Sequence, residues 1–132
     1  MATGAVARDY GISLVHYLSV EITYADTTAV AKSMGKMPIG STIIAAGVTV
    51  KEVFNFGTNN RVDIGVSADD DDLGTDVSLL AKGIIIADEI ATAGDSATDT
   101  AVLEFFATPD ITGTAGTTGR AVVWVTYLPP YR

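Results

Sequence analysis

Four consecutive carboxylates, Asp69-Asp70-Asp71-Asp72, give this sequence one stretch with the oxygen density that a hard cation needs. Adjacent like charges repel, so solvent, a cation or a basic partner surface must offset them. The run lacks the Asp-x-Asp-x-Asp-Gly order that lets a calcium loop curl round its ion, and it reads first as a solvated loop tip. His16 is the single histidine, and there is no cysteine. Disulfides, thiolate catalysis and zinc–thiolate sites are therefore excluded, and one imidazole on the apolar side of a strand pattern reads as structural. No Gly-x-Ser-x-Gly elbow accompanies the serines and aspartates, so no nucleophile stands at a recognisable spacing from a base. Gly113, Gly116 and Gly119 repeat like a phosphate-cradling loop, but no helix pattern follows them, and they read as a long flexible loop. Trp124 and Tyr127 either stack on a sugar or pack in a sheet or subunit interface, and packing is the commoner use. These residues assign no catalytic group, no metal ligand and no cofactor.

The chain that must position these groups has 132 residues, of which 48% are hydrophobic and 18% charged. That is enough for one domain with a sizeable core. The net charge of −8 is unevenly placed. Through Val66, Arg8, Lys32, Lys36, Lys51 and Arg61 balance Asp9, Glu21, Asp26, Glu52 and Asp63, so the acidic excess lies in the second half. Such a chain repels phosphate backbones and shows no basic patch, which argues against nucleic-acid partners. No apolar run approaches the length of a membrane span, and the first residues lack the basic-then-apolar order of a signal peptide. The expectation is a soluble protein with no membrane partner.

The hydrophobic pattern is that of strands. From Ile12 to Tyr24, Ile12, Leu14, His16, Leu18, Val20 and Ile22 alternate with Ser13, Val15, Tyr17, Ser19 and Glu21, predicting a long first strand. Val48 to Ser67 reads as a central β-hairpin turning at Gly57-Thr58-Asn59-Asn60. Asp26 to Pro38 reads as loop, Gly40 to Ala45 as a short separate strand, and Asp76 to Ala81 as either a helical turn or a strand. Ile84-Ile85-Ile86 is a β-branched run that suits a strand buried on both faces or lying against a partner chain. Val102 to Thr108 and Ala121 to Leu128 are further strands, the latter with Val123, Val125 and Tyr127 on one face, and Pro129-Pro130 ends its ladder. The expected fold is all-β: an antiparallel β-sandwich, jelly-roll-like, with at most short helical turns. The expected organisation is an arm at 1–10, a sandwich domain at 11–128 and a tail at 129–132.

Two stretches carry a resemblance. Val48 to Asp72, with Phe-Asn-Phe-Gly-Thr-Asn-Asn followed by Val-Asp-Ile-Gly and Ser-Ala-Asp-Asp, resembles small structural proteins of tailed bacteriophages. Gly113 to Tyr127, Gly-Thr-Ala-Gly-Thr-Thr-Gly-Arg-Ala-Val-Val-Trp-Val-Thr-Tyr, is similar to their closing loop and strand. The resemblance implies a head decoration, or cement, protein: a trimeric sandwich or jelly roll on the capsid exterior of the virion that braces the major capsid protein, and not an enzyme. With that implication, the expected contacts to capsid or sister chains are Arg8, Tyr10, Ile84, Ile85, Ile86, Trp124, Tyr131 and Arg132. The alternative is a carbohydrate-binding β-sandwich module of a head fibre or tail component, and a small hydrolase is the weakest reading.

Overall fold

Period-2 alternation puts one side of each strand in a shared interior, and in the computed structural model, which describes residues 15–66, 73–87 and 103–130, eight such strands form two sheets. They are β1 (His16–Thr23), β2 (Lys32–Met37), β3 (Thr42–Glu52), β4 (Asn59–Gly65), β5 (Gly74–Ser78), β6 (Gly83–Ile86), β7 (Leu103–Thr112) and β8 (Arg120–Leu128). One sheet, sheet A, runs β1-β8-β3-β6, and the other, sheet B, runs β2-β7-β4-β5. Every strand pair is antiparallel. Within the sheets the first strand lies beside the last, the second beside the seventh, the third beside the sixth and the fourth beside the fifth. That order is one long antiparallel hairpin wrapped round a barrel-like core, the jelly roll that the strand spacing predicts. No helix occurs among the described residues.

The core lies between the sheets. Ile22, Val48, Val50, Val123 and Val125 enter it from sheet A, and Met34, Met37, Val62, Ile64, Phe105 and Ile111 from sheet B. Leu18 and Val20 pack against it from the side of β1 that alternation assigns to the interior. His16 on the same side is exposed and lies against the ring of Tyr127, their centroids 5.8 Å apart. β8 follows its expected pattern: Ala121, Val123, Val125 and Tyr127 are buried, and the strand stops before Pro129.

Several expectations are corrected. The central hairpin is not one: β3 belongs to sheet A and β4 to sheet B, so 53–58 is a bridge between sheets. Of the residues expected to form the turn, Gly57 and Thr58 lie in the bridge and Asn59 and Asn60 already belong to β4; Phe54 drops into the core and its backbone N–H donates to Leu79 O, which pulls the chain across the sandwich. The segment read as loop at Asp26 to Pro38 contains β2. Its alternation is masked by a bulge between Ser33 and Gly35, with Gly35 at φ 122°, so Met34 and Met37 reach the core at unequal spacing. The short strand from Gly40 merges into β3, whose bulges at Ile43/Ala45 and Val50/Glu52 interrupt its pattern. Of the two readings of Asp76 to Ala81, the strand holds: β5 ends at Ser78.

The glycine series is also reassigned. Gly113, Gly116 and Gly119 stand against Thr58, Phe56 and Phe54, so that the 113–119 loop and the 53–58 bridge close over one end of the sandwich like a zipper. A methyl at any of the three would collide with its opposite residue. Small residues permit close backbone approach here, and no phosphate is needed to explain their spacing. The loop is pinned rather than flexible: Asn55 Oδ1 accepts from the backbone N–H groups of Thr117 (2.8 Å) and Thr118 (3.0 Å), and Thr118 Oγ1 donates to Val53 O (3.0 Å).

Asn60 anchors the bridge. Its Oδ1 accepts from Phe56 N–H at 2.7 Å and its Nδ2 donates to Phe56 O at 3.0 Å, with the side chain buried. Asn60→Ala strands both backbone groups of Phe56. It is expected to cost about 1–3 kcal/mol, read as a lower urea midpoint at unchanged slope.

Candidate functional site

The two outward faces of the sandwich differ in chemistry. Sheet B turns out charged and hydrogen-bonding side chains. Arg61 Nε lies 2.7 Å from Asp110 Oδ2 and 3.2 Å from Asp76 Oδ1, and Ser33 Oγ donates to Glu104 Oε2 at 2.6 Å. Asn59 Nδ2 donates to the Asp110 carboxylate as well, and Asp76 N–H donates to Asp63 Oδ1 at 2.7 Å. The hydrogen bond that Arg61 Nε donates to Asp110 leads the effects that raise the Arg61 pKa above its ordinary value; desolvation opposes it, and the Asp76, Asp110 and Asp63 charges add to it. A group with a raised pKa loses its contribution only as pH climbs through that value, so this cation stays charged throughout the physiological range. Exposed pairs of this kind fix a solvated surface more than they stabilise it.

Sheet A turns out a mostly uncharged face. Register places its side chains in rows: Ser19, Trp124, Gly47 and Ile86 form one, and Glu21, Val122, Thr49 and Ile84 the next. Trp124 lies over Gly47, where an added Cβ would come within 2.8 Å of the indole, and its Nε1 donates to Thr49 Oγ1 at 3.1 Å. The indole is thus held flat on the sheet with its polar atom satisfied. Tyr17 on β1 is 68% exposed, and Ile84 and Ile86 on β6 are 67% and 56% exposed. Charge gathers at one end of this face, where Arg120 approaches Glu21 at 3.9 Å. Tyr17, Ile84 and Ile86 leave this face of an acidic chain with exposed apolar area.

Three of the expected contact residues, Trp124, Ile84 and Ile86, meet here. Trp124 and Ile86 flank Gly47 on opposite sides, and Ile84 stands beside Thr49 in the next row. Ile85 points the other way and packs against the core. The run Ile84 to Ile86 is therefore not buried on both faces: among the described residues it forms an edge strand with no strand paired to its outer side. Arg8, Tyr10, Tyr131 and Arg132, together with Asp69 to Asp72 and the arm at 1–10, lie outside the described residues. Within the tail, Pro130 sits against Gly40. Gly47 is the residue that the sequence reading passed over. A glycine inside an apolar strand marks a close approach, and here it seats the indole.

Among the described residues no three of His, Cys, Asp and Glu gather as a metal site, and no concave pocket opens in the surface. What the arrangement supplies is contact area and free strand edge.

The fold is similar to that of a chain in the Cyanophage Pam1 capsid asymmetric unit, with a TM-score of 0.63, 20% sequence identity, and coverage of 95% of this chain and 92% of that one. No protein family model matches the chain, and no curated protein does.

Proposed function

We propose that this chain is a non-enzymatic structural protein of a phage virion, a decoration protein that binds the outside of the head and braces contacts of the major capsid protein. The observation that carries the reading is the uncharged outer face of sheet A, built on a sandwich whose other face is charged and solvated. A brace works through extended contact surfaces rather than a cleft. The fold likeness to a chain of a phage capsid supports the same reading.

In this function copies of the chain associate as a homotrimer through the Trp124 side of sheet A. The arm at 1–10 and the tail at 129–132 reach onto neighbouring subunits. Each segment loses conformational freedom on docking, so it binds weakly alone and well when several engage one symmetric lattice. A carbohydrate-binding module is the second reading, and it draws on Tyr17 and Trp124 sharing a flat face. Trp124 gives it less support than Tyr17, because the indole is half-buried against the sheet.

The test is light scattering on the purified chain followed by cosedimentation with undecorated capsids. The expected result is the mass of three chains and a pellet that contains them. Deleting Met1 to Asp9 is expected to lower occupancy on the capsid while the near-ultraviolet spectrum of the folded domain is retained. Unchanged occupancy would remove the arm from the mechanism, and a monomer that stays in the supernatant and binds glycans would replace the reading with the second one.

A further inference from the structure

We infer that β1 is a hinged flap: it lifts off β8 and closes again while the rest of the sandwich stays folded, held shut by a latch at Lys32 and stopped by a staple at Thr28.

β1 is held by little along most of its length. It is an outermost strand of sheet A, and among the described residues its one ladder is with β8. Ile22 alone is fully buried; Leu18 and Val20 pack on the core from half-buried positions, and His16, Tyr17 and Glu21 are exposed. β8 by contrast sends Ala121, Val123, Val125 and Tyr127 into the interior and is paired with β3 on its other side, so it keeps its place when β1 lifts. A segment with few buried apolar contacts opens at a lower free energy than the whole domain.

The fastening is at the far end of the strand. Lys32 Nζ, at the start of β2, donates to Glu21 O at 2.7 Å and to the Asp26 carboxylate at 3.1 and 3.2 Å, and Asp26 Oδ2 accepts from Thr23 N–H at 2.8 Å. One ammonium thus ties the backbone of β1 to the turn after it and to sheet B. Beyond that turn the chain is fixed to β7 instead. Pro109 has no N–H to give, and the Thr28 hydroxyl bridges the gap: it donates to Pro109 O at 3.3 Å and accepts from Ile111 N–H at 3.0 Å. Ala29 N–H donates to the same carbonyl at 2.7 Å, with Ala29 at φ 64°, a left-handed backbone that persists in an alanine only where its surroundings impose it. The staple stays shut, and the hinge lies between Tyr24 and Thr28. Opening carries Tyr17 and Ser19 away from the outer face of sheet A and leaves Trp124, Ile84 and Ile86 in place, so that face has a fixed part and one movable margin.

The test is hydrogen exchange, amide by amide, on the full chain in rising sub-denaturing urea, under conditions where reclosing outruns exchange. Tyr24 N–H donates to Gly119 O, which continues the β1–β8 register as a hydrogen-bonded pair. Alternation then turns the N–H groups of Ala121, Val123, Val125 and Tyr127 toward β1 and those of Val122, Trp124 and Thr126 toward β3. The first set is expected to exchange at least about tenfold faster than the second, with a weaker dependence on urea, because lifting one strand exposes little surface. Equal rates and equal urea dependence along all of β8 overturn the flap. Ile111 N–H, held by Thr28 Oγ1, is expected to exchange with the slow set; exchange with the fast set overturns the hinge. Two variants separate the latch from general stability. The latch is lost both when β1 lifts and when the domain unfolds, so Lys32→Met is expected to speed both sets by the same factor, about tenfold. Asn60→Ala, whose contacts survive lifting, is expected to speed the slow set alone. A fast set that does not respond to Lys32→Met overturns the latch, and one that responds to Asn60→Ala as strongly as the slow set overturns the flap.

Discussion

Phe105→Ala is expected to remove about 3–5 kcal/mol of stability, a large part of the roughly 5–15 kcal/mol that holds a domain of this kind folded. Phe105 is fully buried near the start of β7, which is bonded to β2 on one side and β4 on the other. Its partner in register is Gly35, which has no side chain of its own to fill the space. The cavity therefore stays open, and the loss includes both the transfer of the ring and the vacated contacts. The measurement is the denaturant midpoint at unchanged slope, together with a melting temperature lowered by on the order of 10 °C or more. A loss below about 1 kcal/mol would mean that sheet B can collapse onto the gap, contrary to the packing described.

Gly119→Ala is the second large effect, expected at about 2–5 kcal/mol, and it acts through excess volume rather than lost volume. Gly119 has φ 146°, and an added Cβ would stand 2.5 Å from the ring of Phe54. Phe54 is itself 2% exposed, so the ring has nowhere to retreat. The backbone at this position is also committed on both sides: its N–H donates to Glu52 Oε1 at 3.0 Å and its carbonyl accepts from Tyr24 N–H at 3.1 Å. Gly83→Ala is the control. It has φ 124° but nothing within 4 Å of the added methyl, so it carries the backbone cost alone, about 1–3 kcal/mol. Equal losses in the two variants would show that the collision with Phe54 contributes nothing.

How much of this molecule could be read from its residues depends on whether a strand keeps an uninterrupted alternation. β1 and β8 do, and both their existence and their buried sides follow from the pattern. β2 does not, because the bulge at Ser33/Gly35 shifts the period within six residues. The bridge at 53–58 misled for a different reason: residues that tolerate a positive φ permit a tight hairpin without requiring one, and here neither Gly57 nor Asn59 nor Asn60 adopts it. What decides is Phe54, whose burial is a property of the whole interior. That Ile84 to Ile86 form a strand was legible in their β-branched run; that Ile84 and Ile86 are exposed on it was not. Gly47 was not legible, since its role exists only once β8 lies alongside β3 and brings Trp124 over it.

The pairing of the first strand with the last has a mechanical consequence. His16 lies opposite Tyr127, so the chain enters β1 and leaves β8 at the same corner of sheet A. A pull that separates the two ends loads the rungs of that ladder one after another, as in opening a zip, and never strains them together. Tension carried along the termini would therefore peel β1 away at low force. Load applied across the sheet faces meets the whole interior at once. A domain of this shape withstands load best when it is gripped by its faces rather than by its ends.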